Sequence, residues 1–284
     1  MPSGVSASRA TSARLVIVNA DDLGLHEDIN RGIHLAHTDG IVTSASVVAC
    51  GEAFSDAAMR IRECPRLDVG VHLTLIEERP LCAPNDIPSL LRPDGRFLPS
   101  YRSLATRMLT RGIASDEIRR ELRAQIERVI ALGRQPSHLD GHQHVHLLPS
   151  VWRITTELAR EYGIKWIRVP YFGSVFANSK SLLDPFFRLG LNVLRATRVG
   201  VPKITTPGLH LSGRLDEKEL LSIVSGLRPG LSEIVTHPGI TTPALASRYR
   251  WHYDWSNELQ ALTAPHIKAA LRADGVTLTR FSEC

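Results

Sequence analysis

Carboxylate and imidazole side chains recur at positions where the sequence predicts that β-strands end. They are Asp21, Asp22, His72, His142, His144, His146 and His237. Such groups ligate Zn²⁺, Fe²⁺, Co²⁺ or Mn²⁺ and also act as general acids and bases. In a barrel of parallel strands the carboxyl ends of the strands meet at one face, so we expect these distant residues to converge there.

The two adjacent carboxylates, Asp21 and Asp22, follow the short apolar run at 15–18. Neighbouring residues on an extended backbone point to opposite sides, so the two carboxylates are expected to have different partners. One would ligate a metal while the other acts as a base. The alternative is that one of them caps the following helix and the other is solvated.

Three histidines alternate in the segment Asp-Gly-His-Gln-His-Val-His at 140–146. On an extended backbone, His142, His144 and His146 would all point to the same side, which by itself predicts a three-histidine metal site. The alternative is that two of them are structural and hydrogen-bonded at the entry of a helix.

The elements that must position these residues alternate along the chain. Strands are predicted at 15–18, 42–49, 67–75, 166–169 and 233–235, and helices at 28–39, 52–62, 115–132, 150–162 and 216–226. Ser115 is expected to cap its helix. This alternation is typical of parallel strands joined by helical crossovers. We therefore predict an α/β fold, a single-domain distorted (β/α) TIM-like barrel over 14–284, after a disordered N-terminal tail at 1–13.

The composition is that of a packed globular protein, with 43% hydrophobic and 22% charged residues among 284. The net charge of +5 comes without a dense basic run, so a nucleic-acid partner is not expected. The four cysteines form no CxxC pattern, which favours a reducing compartment. Because the sequence shows neither a secretory signal nor a long apolar stretch, we predict a cytoplasmic protein.

Four ordered motifs make a family resemblance specific. They are Val-Asn-Ala-Asp-Asp-Leu-Gly at 18–24, Gly-Val-His-Leu at 70–73, Ser-His-Leu-Asp-Gly-His-Gln-His-Val-His at 137–146 and Thr-His-Pro-Gly at 236–239. Together they resemble the YdjC-like carbohydrate deacetylase family, from about residue 14 to past residue 239. The resemblance implies a barrel of the polysaccharide-deacetylase kind, a divalent metal, and removal of acetyl groups from N-acetylated sugars.

The resemblance also implies the metal ligands. Asp22, His72 and His142 would hold one divalent ion, Mg²⁺ or Zn²⁺. This replaces the three-histidine site, because His144 and His146 would then lie around the ligands or face the substrate.

The catalytic roles implied by the resemblance fall on two other residues. Asp21 would be the base that takes a proton from the attacking water. His237 is the candidate acid for the leaving nitrogen; the alternative is a structural histidine fixed by the following Pro-Gly. Arg168 would orient Asp21, bind sugar hydroxyls or form a structural ion pair, and the aromatic residues at 251, 253 and 255 would stack on sugars or pack in the core.

The resemblance implies that the substrate is an N-acetylated oligosaccharide or a lipid-linked amino sugar. The segment 182–201 is apolar and carries three arginines but one acid, which favours contact with a membrane surface or an apolar aglycone. Together with 226–234, it points to the hopanoid-associated branch of the family and to a peripheral location at the inner face of the membrane. The alternative is a helix packed on the barrel or in a homodimer contact.

Two other functions compete with deacetylation. A non-catalytic sugar-binding barrel would keep the pocket, but binding alone needs no base beside a metal. A single-metal hydrolase of another acyl or ester bond would use the same residues. Phosphoester hydrolases commonly use two metals bridged by carboxylates, and the sequence supplies ligands for one.

Overall fold

The computed structural model of the chain describes residues 13–170 and 204–284. Within these ranges the strands are Arg14–Leu23 (β1), Ser44–Val47 (β2), Asp68–Leu73 (β3), His138–Gly141 (β4), Trp166–Ile167 (β5), Gly230–Thr236 (β6) and Val276–Leu278 (β7). The helices are Glu27–Thr38 (α1), Phe54–Glu63 (α2), Tyr101–Thr110 (α3), Ser115–Ile130 (α4), Pro149–Glu161 (α5), Glu217–Gly226 (α6), Pro243–Arg248 (α7), Trp255–Thr263 (α8) and Pro265–Ala273 (α9). The basic apolar segment 182–201 and residues 1–12 of the predicted tail lie outside the described residues.

The strands form one parallel sheet. Its order is β5-β4-β3-β2-β1-β6, and β7 pairs with the first residues of β1. Each recorded pairing between these strands is parallel. The carboxyl ends of the strands therefore lie on one side of the sheet, as the alternation of strands and helices predicts.

The sheet curls, so its two outermost strands approach each other in space. Arg168, directly after β5, lies 2.7 Å from a carboxylate oxygen of Glu233 in β6, although β5 and β6 stand at opposite ends of the strand order. Among the described strands, no pairing joins β5 to β6. The predicted single-domain α/β barrel is thus confirmed in the form of a curled half-barrel.

The strand β1 pairs with β2, β6 and β7 and is buried from Val16 to Leu23. Helices cover the sheet with apolar faces; α4, for example, buries Ile118, Leu122, Ile126 and Val129 completely. None of the described helices has the length and apolar sequence needed to span a bilayer.

The start of α4 differs from the prediction. Ser115 is the first helical residue, and Ala114 precedes it with no side-chain cap, so the predicted Ser115 cap is wrong. Alanine has no oxygen to offer at this position. Instead, the hydroxyl of Ser89 accepts a hydrogen bond from the backbone N–H of Ala114 at 3.0 Å.

Candidate active site

The backbone at the end of β1 separates the two adjacent carboxylates. Asp22 has a left-handed conformation with φ of 73°, which is uncommon outside glycine. Asp21 is directed to Arg168, whereas Asp22 lies against His142 and His72. The predicted difference in partners is therefore observed, but a turn of the backbone contributes to it rather than simple alternation along an extended strand.

Asp22, His72 and His142 converge at the edge of the sheet. Oδ1 of Asp22 lies 3.0 Å from Nδ1 of His142 and 3.4 Å from Nε2 of His72. One potential ligand atom from each residue falls within 4.8 Å of the others. One carboxylate and two imidazoles form a donor set suited to a divalent metal ion.

The far nitrogen of each imidazole has its own carboxylate partner. Nδ1 of His72 lies 2.8 Å from Oδ1 of Asp140, and Nε2 of His142 lies 2.9 Å from Oε2 of Glu77. Metal-ligating histidines characteristically donate their second N–H to such a group, which fixes the tautomer and the ring orientation. The surroundings of the three residues therefore fit a metal site as well as the residues themselves.

The charges of these groups depend strongly on one another. Burial would raise the pKa of Asp22, but the neighbouring His142 and His72 outweigh it and lower that pKa to about 2. Burial would likewise lower the pKa of His142, but Asp22 and Glu77 raise it to about 10. The carboxylates thus make this pocket favourable for positive charge, here carried by the imidazoles.

The three alternating histidines do not share a direction. Gln143 and His144 have φ values of 46° and 55°, so the backbone turns through a 3₁₀ segment at His142–Leu147 rather than running extended. His146 is buried, and its Nε2 lies 2.8 Å from the carbonyl oxygen of Arg168, to which it donates. A three-histidine site on extended backbone is therefore wrong, because the local backbone has the opposite sign of φ.

A second cluster surrounds the guanidinium of Arg168. Its two terminal nitrogens lie 2.7 and 2.8 Å from the two oxygens of Asp21, whose Oδ1 also accepts from Asn19 at 2.8 Å. The same guanidinium pairs with Asp140 at 2.8 Å and with Glu233 at 2.7 Å. Burial raises the pKa of Glu233 to about 7 in spite of Arg168. Arg168 therefore orients Asp21 within a sealed ion-pair network.

His237 follows β6 directly and is 8% exposed. Its backbone N–H donates to Oε2 of Glu258 at 2.6 Å, and its ring packs edge-on against Tyr253 with the ring centres 5.1 Å apart. Among the described residues, Nδ1 of His237 has no hydrogen-bond partner although it is buried. The main chain is thus fixed while the imidazole stays available for chemistry.

One cavity of about 450 Å³ collects the predicted site residues. Its wall includes Asp21, Asp22, His72, His142, His144, His237, Trp251 and Tyr253. This volume falls in the range of small-molecule sites. Trp255, in contrast, is 2% exposed and belongs to the core, so the aromatic stretch divides between packing and the cavity.

Sequence reasoning missed several carboxylates that hold the site together. Asp140 had a signal, since it lies two residues before His142 within the same motif. Glu77, Glu233 and Glu258 had none, because they lie in a loop, a strand and a helix and belong to none of the four motifs. Their partners lie far away in sequence, for example 65 residues between Glu77 and His142.

Comparison with known sequences gives one family over nearly the whole chain. A family model described as YdjC-like protein matches residues 15–273. A carbohydrate deacetylase of Brevibacillus brevis is 33% identical over 273 residues, covering 94% of this chain and 98% of that protein. A chitooligosaccharide deacetylase of Citrobacter koseri is 40% identical over 154 residues, which cover 53% of this chain and 58% of that one.

Comparison with solved structures supports the fold. A crystal structure from Enterococcus faecalis, provisionally described as a cellobiose-phosphate cleavage protein, superposes with a TM-score of 0.75 at 23% identity. The match covers 96% of this chain and 99% of the other. At this level of identity, the comparison shows that the two chains share the same curled α/β architecture.

Proposed function

The chain belongs to the YdjC-like family, and on that premise we propose that it is a carbohydrate deacetylase that hydrolyses the acetamide of an N-acetylated sugar. One observation supports this proposal most strongly. The carboxylate of Asp21 lines the same cavity as a candidate set of metal ligands, which consists of Asp22, His72 and His142. A sugar-binding barrel would need no such combination.

Asp22, His72 and His142 would hold one divalent ion, Mg²⁺ or Zn²⁺. When bound, such an ion supplies Lewis acidity toward an acyl oxygen and lowers the pKa of a water molecule. The protein contributes the orientation of the ligands through Asp140, which accepts a hydrogen bond from His72, and through Glu77, which accepts one from His142.

Asp21 would act as the general base. Its two oxygens are held by the two terminal nitrogens of Arg168, so the carboxylate cannot rotate away from the cavity that it lines. A fixed carboxylate can take the proton of an attacking water without first reorganising. Arg168 would thus act by positioning the base rather than by touching the sugar.

His237 would act as the general acid. It lines the same cavity as Asp21 but follows a different strand, so the two groups approach a bound substrate from different elements. Its Nδ1 has no hydrogen-bond partner among the described residues, so no protein group there competes for the ring. A protonated imidazole here would give its proton to the sugar nitrogen as the amide bond breaks.

The sugar would lie against the aromatic wall of the cavity, which Trp251 and Tyr253 provide. A free N-acetylated oligosaccharide is the first candidate substrate. A hopanoid-type glycolipid is the second, and it depends on the sequence of 182–201 and of 226–234. Contact with the inner face of the cytoplasmic membrane and a homodimer depend on the sequence of 182–201.

The decisive experiment measures acetate release from N-acetylglucosamine oligomers and from an acetylated glycolipid. The enzyme is tested after metal removal, after restoration with Mg²⁺ or Zn²⁺, and as the Asp21→Asn variant. We expect metal-dependent release that Asp21→Asn reduces by about 10²–10⁴-fold, because a general base is lost. Absence of release from both substrates in the metal-restored enzyme would contradict the proposal, and the preferred substrate would decide between the two candidates.

A further inference from the structure

Glu77 stands in the loop after β3 with an unusual backbone. Its φ of 64° lies in the left-handed region, which a glutamate rarely adopts. The conformation is held from outside, since the N–H of Glu77 donates to the carbonyl of Leu98 at 2.8 Å and the N–H of Phe97 donates to the carbonyl of Glu78 at 3.0 Å. Such conformations persist where the surroundings over-determine them, often at functional sites.

The carboxylate of Glu77 makes two separate contacts. Oε2 lies 2.9 Å from Nε2 of His142, and Oε1 accepts from the indole N–H of Trp251 at 3.3 Å. A carboxylate has only acceptors, so Nε2 of His142 must carry the hydrogen of that bond. Nδ1 faces the carboxylate of Asp22 at 3.0 Å and carries the second hydrogen. If a cation replaced that proton, the imidazole would stay protonated at Nε2 and offer its Nδ1 lone pair, which is the form that a metal requires.

The second partner, Trp251, separates two spaces. Its ring lines the main cavity and also a neighbouring groove of about 370 Å³. The ring centre lies 5.2 Å from that of His142 and 4.6 Å from that of Tyr249. Because Glu77 accepts the indole N–H, it fixes the ring of Trp251, which forms the cavity wall against which a sugar would lie.

The adjacent acid, Glu78, shows that this arrangement is particular to Glu77. Glu78 is 1% exposed and bonds to Arg248 and the hydroxyl of Tyr249, away from the ligand set. The left-handed backbone at Glu77 turns the chain, so that the side chains of Glu77 and Glu78 reach different partners. Of these two acids, it is Glu77 that reaches both the imidazole of His142 and the indole of Trp251.

We propose that Glu77 is a positioning residue that couples metal binding to substrate binding. One of its oxygens sets the tautomer and orientation of His142, and the other sets Trp251. Loss of Glu77 disturbs both, whereas loss of the indole donor disturbs only the sugar-facing wall. The effect of Glu77 on metal binding is inferred from its contact with His142 in the candidate ligand set. Its effect on substrate binding rests on the proposed deacetylase function.

The test uses Co²⁺ as a spectroscopic probe of the metal-stripped full chain. Co²⁺ affinity and the visible spectrum are measured for wild type, Glu77→Ala, Glu77→Gln and Trp251→Phe. Glu77→Ala should weaken Co²⁺ binding by about 10–100-fold, the usual cost of losing the partner of a ligating histidine. Trp251→Phe keeps an aromatic ring but removes the indole N–H, so it should bind Co²⁺ as wild type does while raising KM for the N-acetylated sugar.

Glu77→Gln keeps the size of the side chain, so it still tests the inference if the alanine variant does not fold. In wild type, different oxygens of Glu77 contact His142 and Trp251, and an amide keeps an acceptor at one of these two positions. One contact is therefore lost, and either the Co²⁺ affinity or KM should change. Glu52→Gln, at an exposed acid that contacts Arg248, is the matched control and should change neither.

Wild-type Co²⁺ affinity and spectrum in both Glu77 variants would overturn the inference. Failure of the proposed function gives a different result. Wild type would then bind Co²⁺, the Glu77 variants would bind it more weakly, and no acetate would be released by any of them. That pattern would retain the role of Glu77 at the metal and remove the link to the sugar.

Discussion

The cavity cluster, Asp22, His72 and His142, and the buried cluster around Arg168 share one edge of the sheet but are built differently. In the cavity cluster, carboxylate and imidazole groups hold one another, and the protons on the two imidazole nitrogens that face Asp22 can be exchanged for a cation. In the buried cluster, a guanidinium that does not deprotonate binds Asp21, Asp140 and Glu233, and its side chain has no exposed surface.

Asp140 connects the two clusters, because it accepts from Nδ1 of His72 and also from Arg168. A change at the candidate ligand set can therefore reach Asp21, the proposed base, through two intermediate groups, Asp140 and Arg168. The difference indicates that the two clusters have different roles. The imidazoles that can exchange a proton for a cation face the cavity, and the fixed ion-pair network of Arg168 behind them sets their positions. Three predictions test whether this difference in roles is real.

The largest effect is expected from Arg168→Met. Removing the guanidinium leaves three buried carboxylates without their counter-charge, which should lower the free energy of unfolding by about 3–5 kcal/mol. Urea denaturation measures it. Arg123→Met is the matched control, since Arg123 pairs with Glu161 at the surface and should leave the unfolding midpoint nearly unchanged. Equal shifts in the two variants would remove the distinction between buried and exposed pairs.

Acid should destabilise the protein through histidines behind the cavity. Burial lowers the pKa of His138 and of His146 to about 4, below the value of 6.5 in an unfolded chain. The unfolded state therefore binds more protons at these two histidines between these values, so the stability that His138 and His146 contribute is full above about pH 6.5 and is lost as the pH drops toward 4. Each histidine can account for up to about 3 kcal/mol.

Unfolding free energies at pH 7 and pH 4.5 check this dependence, with His138→Gln as the comparison. The glutamine cannot titrate, so the variant should lose less stability between the two pH values than wild type does. An unchanged loss in His138→Gln would show that other groups control the acid sensitivity.

The smallest change in free energy is expected from His237→Gln, on the cavity side of the comparison. Loss of a general acid should reduce kcat by about 10²-fold, equivalent to about 2.7 kcal/mol in the barrier. The unfolding midpoint should move little, because Glu258 binds the backbone N–H of residue 237 and the ring Nδ1 has no partner among the described residues. A normal kcat combined with lowered stability would make His237 structural.

Much of this arrangement was predictable from local patterns. Alternating strand and helix signals imply parallel strands, and parallel strands bring their carboxyl ends together, so Asp22, His72 and His237 could be placed at one edge without coordinates. Recognition of the ligand set still needed the family motifs, since spacing alone favoured His142 with His144 and His146. That preference failed because it assumed extended backbone where φ is positive.

The sequence by itself determined the α/β fold, the family and the residue types gathered at the strand ends, since these depend on short periodic patterns and contiguous motifs. Only the tertiary structure decided which side chain each acid contacts. Arg168 meets Asp21 across 147 residues, and Glu77 meets Trp251 across 174. Such contacts depend on the curl of the sheet and on single left-handed residues, neither of which leaves a repeating signal in the chain.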